Sequence, residues 1–121
     1  MNYTVEHTST TPFIDFKNGN INIVGKSIPT VNLNFFKAFI NLVETYSENP
    51  EAFTVINIDL DYINAYSKRC IMQSFRILER MHKKGYKIKV NWYYDKDDEF
   101  MRELGDIYSS LLDLNIDFIE K

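Results

Sequence analysis

Alternating apolar and polar residues on either side of an Asn-Gly pair predict a β-hairpin near the start of the chain. Phe13, Ile14 and Phe16 precede the pair, and the run INIVG follows it. Asn-Gly is the strongest short-range signal for a two-residue hairpin turn, so we predict a hairpin over residues 12–25. Residues 1–10 are rich in Thr and Ser and are predicted to form a flexible N-terminal segment.

Three later stretches carry apolar residues at three- and four-residue steps, which is typical of amphipathic helices. The stretches between them alternate in the way that strands do. The predicted helices span about 31–46, 67–84 and 96–112, and the predicted strands that separate and follow them span about 53–63, 87–94 and 116–120. The expected order is therefore ββαβαβαβ, with Phe36, Phe39 and Val43 on the buried face of the first helix.

Strands that alternate with helices predict parallel crossovers, and the hairpin adds an antiparallel pair. The strand FTVINIDLDYI places one face toward the helices or the core and another away from them. The first face carries Ile56, Ile58, Leu60 and Tyr62, and the second carries Val55, Asn57, Asp59 and Asp61. We therefore predict a single α/β domain over residues 11–121, with a mixed sheet of about five strands and three helices mainly on one face.

Length, charge and cysteine content narrow the class of protein. The chain has 121 residues and a net charge of -3 at pH 7, whereas a general nucleic-acid binder is usually basic. No apolar run approaches the ~20 residues that span a bilayer, and the start of the chain does not resemble a signal peptide. We expect a cytoplasmic protein with no nucleic-acid or membrane partner. Its single cysteine, Cys70, lies on the apolar face of a predicted helix and is expected to be buried.

Motifs for enzymatic chemistry are missing from the sequence. There is no nucleophile elbow or Gly-rich phosphate loop, and neither His7 nor His82 lies near a nucleophile in sequence. We expect no enzymatic activity, no cofactor and no metal.

Two competing hypotheses stay open. In the first, a small metal-binding or enzymatic domain uses a set of carboxylates, because dense oxygen ligands suit Mg²⁺ or Ca²⁺. The carboxylates of that set are Asp59, Asp61, Asp95, Asp97, Asp98 and Glu99. In the second, the protein is a structural subunit that dimerises through an exposed sheet edge.

The stretch DYINAYSKRC, residues 61–70, lies between a predicted strand and a predicted helix. Ligands of open α/β sheets bind at such carboxyl ends of strands. We predict Ser67 as the N-cap of the helix, where a phosphate would meet unpaired backbone N–H groups. Lys68 is close by in sequence, and Tyr66 is expected to be an exposed contact residue for a partner.

Four segments resemble the SiaC family, whose domains are similar to the STAS type. They are TPFIDF, INIVGKSIP, IDLDYINAYSKRC and KVNWYYDKDDEFMRELG, and the resemblance covers about residues 11–120. It implies a non-enzymatic bacterial signalling adaptor whose unphosphorylated form binds and activates a diguanylate cyclase, which makes cyclic di-GMP and so controls biofilm formation. It also implies a Ser/Thr kinase that phosphorylates a threonine at the strand–helix junction, and a phosphatase that reverses this step.

The junction departs from the family pattern at one position. Ala65 stands where the family threonine is expected, within Asn64-Ala65-Tyr66-Ser67. Three interpretations are open: Ser67 is the phosphorylation candidate, Tyr66 is the contact or acceptor, or the protein binds its partner constitutively. The predicted partner-binding residues are Asp61, Asn64, Ala65, Tyr66, Ser67, Lys68 and Tyr93.

Overall fold

Six strands and three helices form the fold in a computed structural model that describes residues 1–8, 11–26 and 35–121. The elements are β1 (Asn2–Val5), β2 (Phe13–Lys17), β3 (Asn20–Lys26), α1 (Phe35–Glu48), β4 (Phe53–Tyr62), α2 (Ala65–Lys83), β5 (Lys87–Tyr94), α3 (Glu99–Leu111) and β6 (Asn115–Glu120). The predicted hairpin is confirmed, with Asn18 and Gly19 at positive φ in its turn.

The strands lie in the sheet in chain order, from β1 to β6. The pairs β1–β2 and β2–β3 are antiparallel, and the pairs from β3 to β6 are parallel. Within the described residues each parallel crossover contains one helix, and each leads to the neighbouring strand on the same side. Because such crossovers are right-handed, all three helices lie on one face of the sheet. This confirms the predicted mixed α/β fold.

The core lies between this face of the sheet and the helices. Phe36, Phe39 and Val43 of α1 are buried in it as predicted, and Cys70 is also buried. Burial raises the pKa of the Cys70 thiol, which therefore stays protonated near neutral pH. No helix within the described residues is long and apolar enough to cross a membrane.

The middle of the other face of the sheet carries polar side chains, as predicted for the strand over residues 53–63. Asn57 donates from Nδ2 to Asn22 Oδ1 at 2.8 Å, and Asn91 donates from Nδ2 to Asn57 Oδ1 at 2.8 Å. These amides form a hydrogen-bonded ladder across β3, β4 and β5, where parallel register sets them side by side. We call this side the open face of the sheet.

The predicted number of strands was too low, because about five strands were predicted and the described residues contain six. The extra strand, β1, lies within the segment predicted to be flexible, and it pairs with β2 through register pairs such as Tyr3 with Phe16. Its residues are almost all exposed, so the alternation of apolar residues that marks a half-buried strand is weak there. The first four residues of the helix predicted over 31–46 lie outside the described residues, and α1 is described from Phe35 onward.

Candidate functional site

The helix α2 begins at Ala65, two residues before the start predicted at about residue 67. Asn64 is its N-cap, and Asn64 Oδ1 accepts a hydrogen bond from the Ser67 backbone N–H at 2.7 Å. The prediction of Ser67 as the cap is therefore wrong. Asn and Ser cap helices about equally well, so the preference of the residue types did not decide between them.

Ser67 is only 1% exposed. It lies three residues before Cys70 and four before Ile71, which puts it on the inner face of α2 beside them. Ser67 is therefore not the surface hydroxyl that the sequence predicted. Ala65, the first residue of the helix, is exposed.

Tyr66 is half-buried and packs against the core, so it does not project as the exposed contact residue we predicted. Partial burial and a hydrogen bond with the Cys70 thiol raise the pKa of its hydroxyl. The guanidinium of Arg69 lies 6.0 Å from the centre of its ring. Tyr66 therefore helps to hold the first turn of α2 and offers only part of its ring to a partner.

A pocket of about 500 Å³ opens between the β4–α2 junction and the start of α3. We call it the junction pocket. It is lined by Asp61, Tyr62, Ile63, Asn64, Ala65, Asp98, Phe100 and Met101. Ile63 and Met101 are buried, whereas Tyr62 and Phe100 are 48% and 51% exposed. The ammonium of Lys68 lies 5.3 Å from the centre of the Phe100 ring. The pocket therefore combines two exposed aromatic rings with a carboxylate and an ammonium.

The start of α3 is fixed from two sides, and this sets the position of Phe100. Asp98 is the N-cap, and Asp98 Oδ1 accepts from the Met101 backbone N–H at 3.1 Å. Trp92 Nε1 donates to the Met101 carbonyl oxygen at 2.8 Å from within the core. Because Met101 is held at both its N–H and its carbonyl, the neighbouring Phe100 side chain is directed to the pocket.

Three of the predicted carboxylates surround a lysine ammonium. Lys121 Nζ lies 2.6 Å from Asp59, 3.5 Å from Asp61 and 3.8 Å from Asp95. The hydrogen bond with Asp59 is the main reason that the pKa of Lys121 is raised. Among the described residues no group of three or more His, Cys, Asp or Glu side chains is arranged to hold a metal ion. These carboxylates therefore act as ion-pair partners in this structure, and Asp98 acts as a helix cap.

The structure brings together only part of the predicted partner-binding set. Asp61, Asn64 and Ala65 line the junction pocket, and Lys68 reaches its Phe100 wall. Tyr93 follows the buried Trp92 in β5 and therefore faces the open side of the sheet, away from α2.

The sequence predicted Tyr62 on the core-facing side of its strand and did not single out Phe100, whereas both rings are exposed walls of the pocket. The signal for Phe100 was present, because α3 carries more apolar residues than one buried helix face accommodates. The excess positions are Phe100, Ile107 and Leu111.

Comparison with known proteins identifies the family of the chain. The model of the SiaC family regulatory phosphoproteins matches residues 5–121, so the chain belongs to that family. A Pseudomonas aeruginosa protein of strain UCBPP-PA14, PA14_02130, is 28% identical over 101 residues, which are 82% of this chain and 80% of that protein.

Solved structures of SiaC from Pseudomonas aeruginosa have the same fold. SiaC in complex with the diguanylate cyclase SiaD, which it activates, superposes with a TM-score of 0.88 at 23% identity, over 98% of this chain and 99% of that one. A second structure of Pseudomonas aeruginosa SiaC gives a TM-score of 0.87 at 21% identity, over 100% of this chain and 99% of that one. At these identities the superpositions establish the fold.

Proposed function

We propose that this protein is a non-enzymatic signalling adaptor that binds and activates a diguanylate cyclase through the junction pocket. The observation that carries the proposal is an open pocket with two half-exposed aromatic walls at the carboxyl end of β4, in a member of the SiaC family. The complex of Pseudomonas aeruginosa SiaC with the cyclase SiaD supports a cyclase as the partner.

The chemistry of the junction pocket suits a protein partner. An aromatic side chain on a rigid backbone buries a large area at a low cost in conformational entropy. Such side chains often contribute most of the binding energy at protein interfaces. Tyr62 ends β4 and Phe100 lies in the first turn of α3, so both rings stand on regular elements. Asp61 and Lys68 beside them would add charged contacts that orient the partner.

The pocket lining also supports an adaptor over an enzyme. Its eight residues include two carboxylates, and neither histidine nor cysteine. Asp98 is already engaged as a helix cap, and the buried Cys70 thiol has a raised pKa. Without a paired nucleophile and base at the pocket, binding is the function that these residues support. We place the adaptor in the cytoplasm.

We further propose that the junction binds its partner constitutively. A protein kinase needs an accessible hydroxyl, and Ser67 is buried while the exposed position 65 is an alanine. Ala65→Thr would place a hydroxyl at the first helical residue, where the helix N-terminus favours a phosphate. The kinase and phosphatase implied by the family resemblance would then act on this variant.

Mass spectrometry after incubation with a kinase of the pathway tests this regulation. We expect phosphate on Ala65→Thr within the junction peptide, and none there on the parent protein or on Ser67→Ala. Phosphate on Ser67 of the folded parent protein would contradict the proposal of constitutive binding.

The main test measures the affinity of candidate diguanylate cyclases for two matched variants. Tyr62→Ala and Phe53→Ala remove rings of similar exposure, 48% and 51%, from opposite ends of β4. Only Tyr62 lines the junction pocket. We expect Tyr62→Ala to weaken binding and cyclase activation about tenfold or more, which is the effect of a moderate hot spot. Equal affinities of the two variants would reject the pocket as the binding site.

A further inference from the structure

The outer surface of α3 carries a row of three uncovered apolar side chains. Phe100, Ile107 and Leu111 are 51%, 52% and 55% exposed. Residues seven and four positions apart lie on the same face of a helix, so the three form one continuous stripe about 16 Å long. We call it the α3 stripe. Since Phe100 also lines the junction pocket, the stripe and the pocket are one continuous surface.

One edge of the α3 stripe is basic. Lys68 of α2 holds its ammonium 5.3 Å from the centre of the Phe100 ring. At the other end of the stripe, Arg76 of α2 donates from Nη1 to the Leu111 carbonyl oxygen at 3.4 Å, while also pairing with Glu79. Two cationic side chains of α2 therefore border the stripe, one at each end. Because Glu79 balances the charge of Arg76, Lys68 at the Phe100 end supplies the net positive charge of this edge.

The opposite edge is acidic. Glu103 lies three residues after Phe100 and four before Ile107, and Glu99 precedes Phe100; both are exposed. Arg102 does not neutralise this edge, because it lies on the far side of α3. There it pairs with Asp106 at 2.7 Å and lies 4.0 Å from the centre of the Phe118 ring. The α3 stripe thus separates a basic border from an acidic one.

We infer that the α3 stripe and the junction pocket together dock an amphipathic α-helix of a protein partner. That helix has apolar residues at three- and four-residue spacing, acidic residues along the edge that faces α2, and basic residues along the edge that faces Glu99 and Glu103. This inference rests on the proposed function, since it describes how the partner is held. Charge complementarity fixes the two flanks of the docked helix and therefore its direction.

The shape of the surface favours a helix over an extended strand. The backbone groups of α3 are hydrogen-bonded within the helix, so they cannot extend a sheet by strand addition. A stripe of about three turns matches the contact length of a helix that inserts side chains at i, i+3 or i+4, and i+7. The junction pocket would receive one larger apolar side chain at the end of this row.

The test selects peptides from a phage-displayed library, with the full chain as bait. The library fixes apolar residues at helical spacing and randomises the two flanks. We expect enriched peptides with acidic residues on one flank and basic residues on the other. They should bind Ile107→Asp at least about tenfold more weakly than the parent protein. With Glu103→Lys as the bait, the enriched basic flank should become acidic.

Val24→Asp is the matched control, because Val24 is an aliphatic residue that is 40% exposed on the open face of the sheet. It should bind the peptides like the parent protein. Thermal melts check that both variants fold; if Ile107→Asp does not, Leu111→Ser replaces it in the same comparison.

Several results would overturn the inference. They are no enrichment above background, enriched peptides without opposite charges on their flanks, or equal peptide binding by Ile107→Asp and Val24→Asp. A concentration-dependent dimer of the parent protein that Ile107→Asp dissociates would assign the stripe to a second copy and would also overturn it. A cyclase that binds the parent protein and Ile107→Asp equally would overturn this inference while leaving the proposed function intact. Failure of every cyclase to bind would reject the proposed function alone.

Discussion

The helices α2 and α3 pack on the same face of the same sheet, but they use their apolar residues differently. Phe75 of α2 is fully buried, and its ring meets the rings of Trp92 and Tyr108 with centroids 6.4 and 5.4 Å apart. In α3, Tyr108 is buried in the same cluster, whereas Ile107 next to it is half-exposed. The large apolar residues of α2 thus pack into the core, whereas some of those in α3 remain exposed to solvent.

This difference separates residues that maintain the fold from residues available for binding. Large contiguous patches of exposed apolar side chains are typical of interaction sites, and this is the basis for the proposal that the α3 stripe binds a partner.

Removal of the Phe75 ring should destabilise the protein most. Phe75→Ala leaves a cavity among Trp92 and Tyr108, and deletion of a buried aromatic ring costs about 3–5 kcal/mol of unfolding free energy. Phe100→Ala removes a phenyl ring of the same size from the surface, and it should change the free energy of unfolding by less than about 1 kcal/mol. Urea denaturation of both variants measures the difference, and similar losses would show that the contrast between α2 and α3 is wrong.

The close contact between α3 and the sheet depends on a glycine. A Cβ atom at Gly105 would lie 2.6 Å from Phe118 Cε1 and 2.7 Å from Trp92 Cδ1. Gly105→Ala should therefore destabilise by about 1–3 kcal/mol through overpacking, although alanine favours the helix intrinsically. The control is Ser110→Ala on the exposed side of α3, which should be nearly neutral. If Gly105→Ala were as stable as the control, α3 could move away from the sheet without a loss of stability, and the close contact would not be required.

A partly buried carboxylate joins α2 to the segment that follows α3. Glu79 Oε2 accepts from the Asp113 backbone N–H at 2.7 Å, and Glu79 also pairs with Arg76 at 3.1 Å. The Asp113 hydrogen bond is the main reason that the pKa of Glu79 is lowered. We expect Glu79→Ala to cost about 1.5–3 kcal/mol at pH 7, the usual contribution of a hydrogen bond to a charged group.

The pH dependence of this effect has a definite sign. A lowered folded-state pKa stabilises the protein fully above the ordinary glutamate pKa of 4.5, and the stabilisation is lost as pH falls through the folded value. The stability difference between the parent protein and Glu79→Ala should therefore shrink below about pH 4.5. A difference that stays constant from pH 7 to pH 3 would contradict the assignment.

Replacement of Asn64, the N-cap of α2, should have the smallest effect on stability. Asn64→Ala removes the bond to the Ser67 backbone N–H and should cost about 1 kcal/mol. Asn64→Asp keeps a cap oxygen and should retain most of the stability. Thermal melts distinguish the two, and equal losses in both variants would show that the side-chain cap contributes little.

The fold was largely predictable because each element has a strong local signal. The Asn-Gly turn set the hairpin, and three- and four-residue steps marked the buried faces of α1 and α2. The edge strand β1 was missed because its side chains are almost all exposed, so burial left little pattern in its sequence. β1 is held in the sheet by backbone pairing with β2. A local pattern of apolar and polar residues does not reveal this pairing.

The site was predictable in position but not in detail. The junction was recognised from the order of strand and helix, but the N-cap of α2 was predicted at Ser67, three residues after the observed Asn64, and this put Ser67 at the surface. The inward phase of Ser67 with Cys70 and Ile71 was available in the sequence and was outweighed by its capping preference. The contribution of Phe100 depends on how α3 is anchored through Trp92 and Met101, which only the tertiary structure shows.

The most direct test of partner binding at the junction pocket is a footprint of the bound cyclase on the isotope-labelled protein. Backbone amide signals would be recorded by nuclear magnetic resonance with and without a cyclase that binds. We expect the largest changes at residues 61–68 and 98–101, continuing along α3 to Leu111. Changes confined to the open face of the sheet, around Asn57 and Asn91, would contradict binding of the cyclase at the junction pocket.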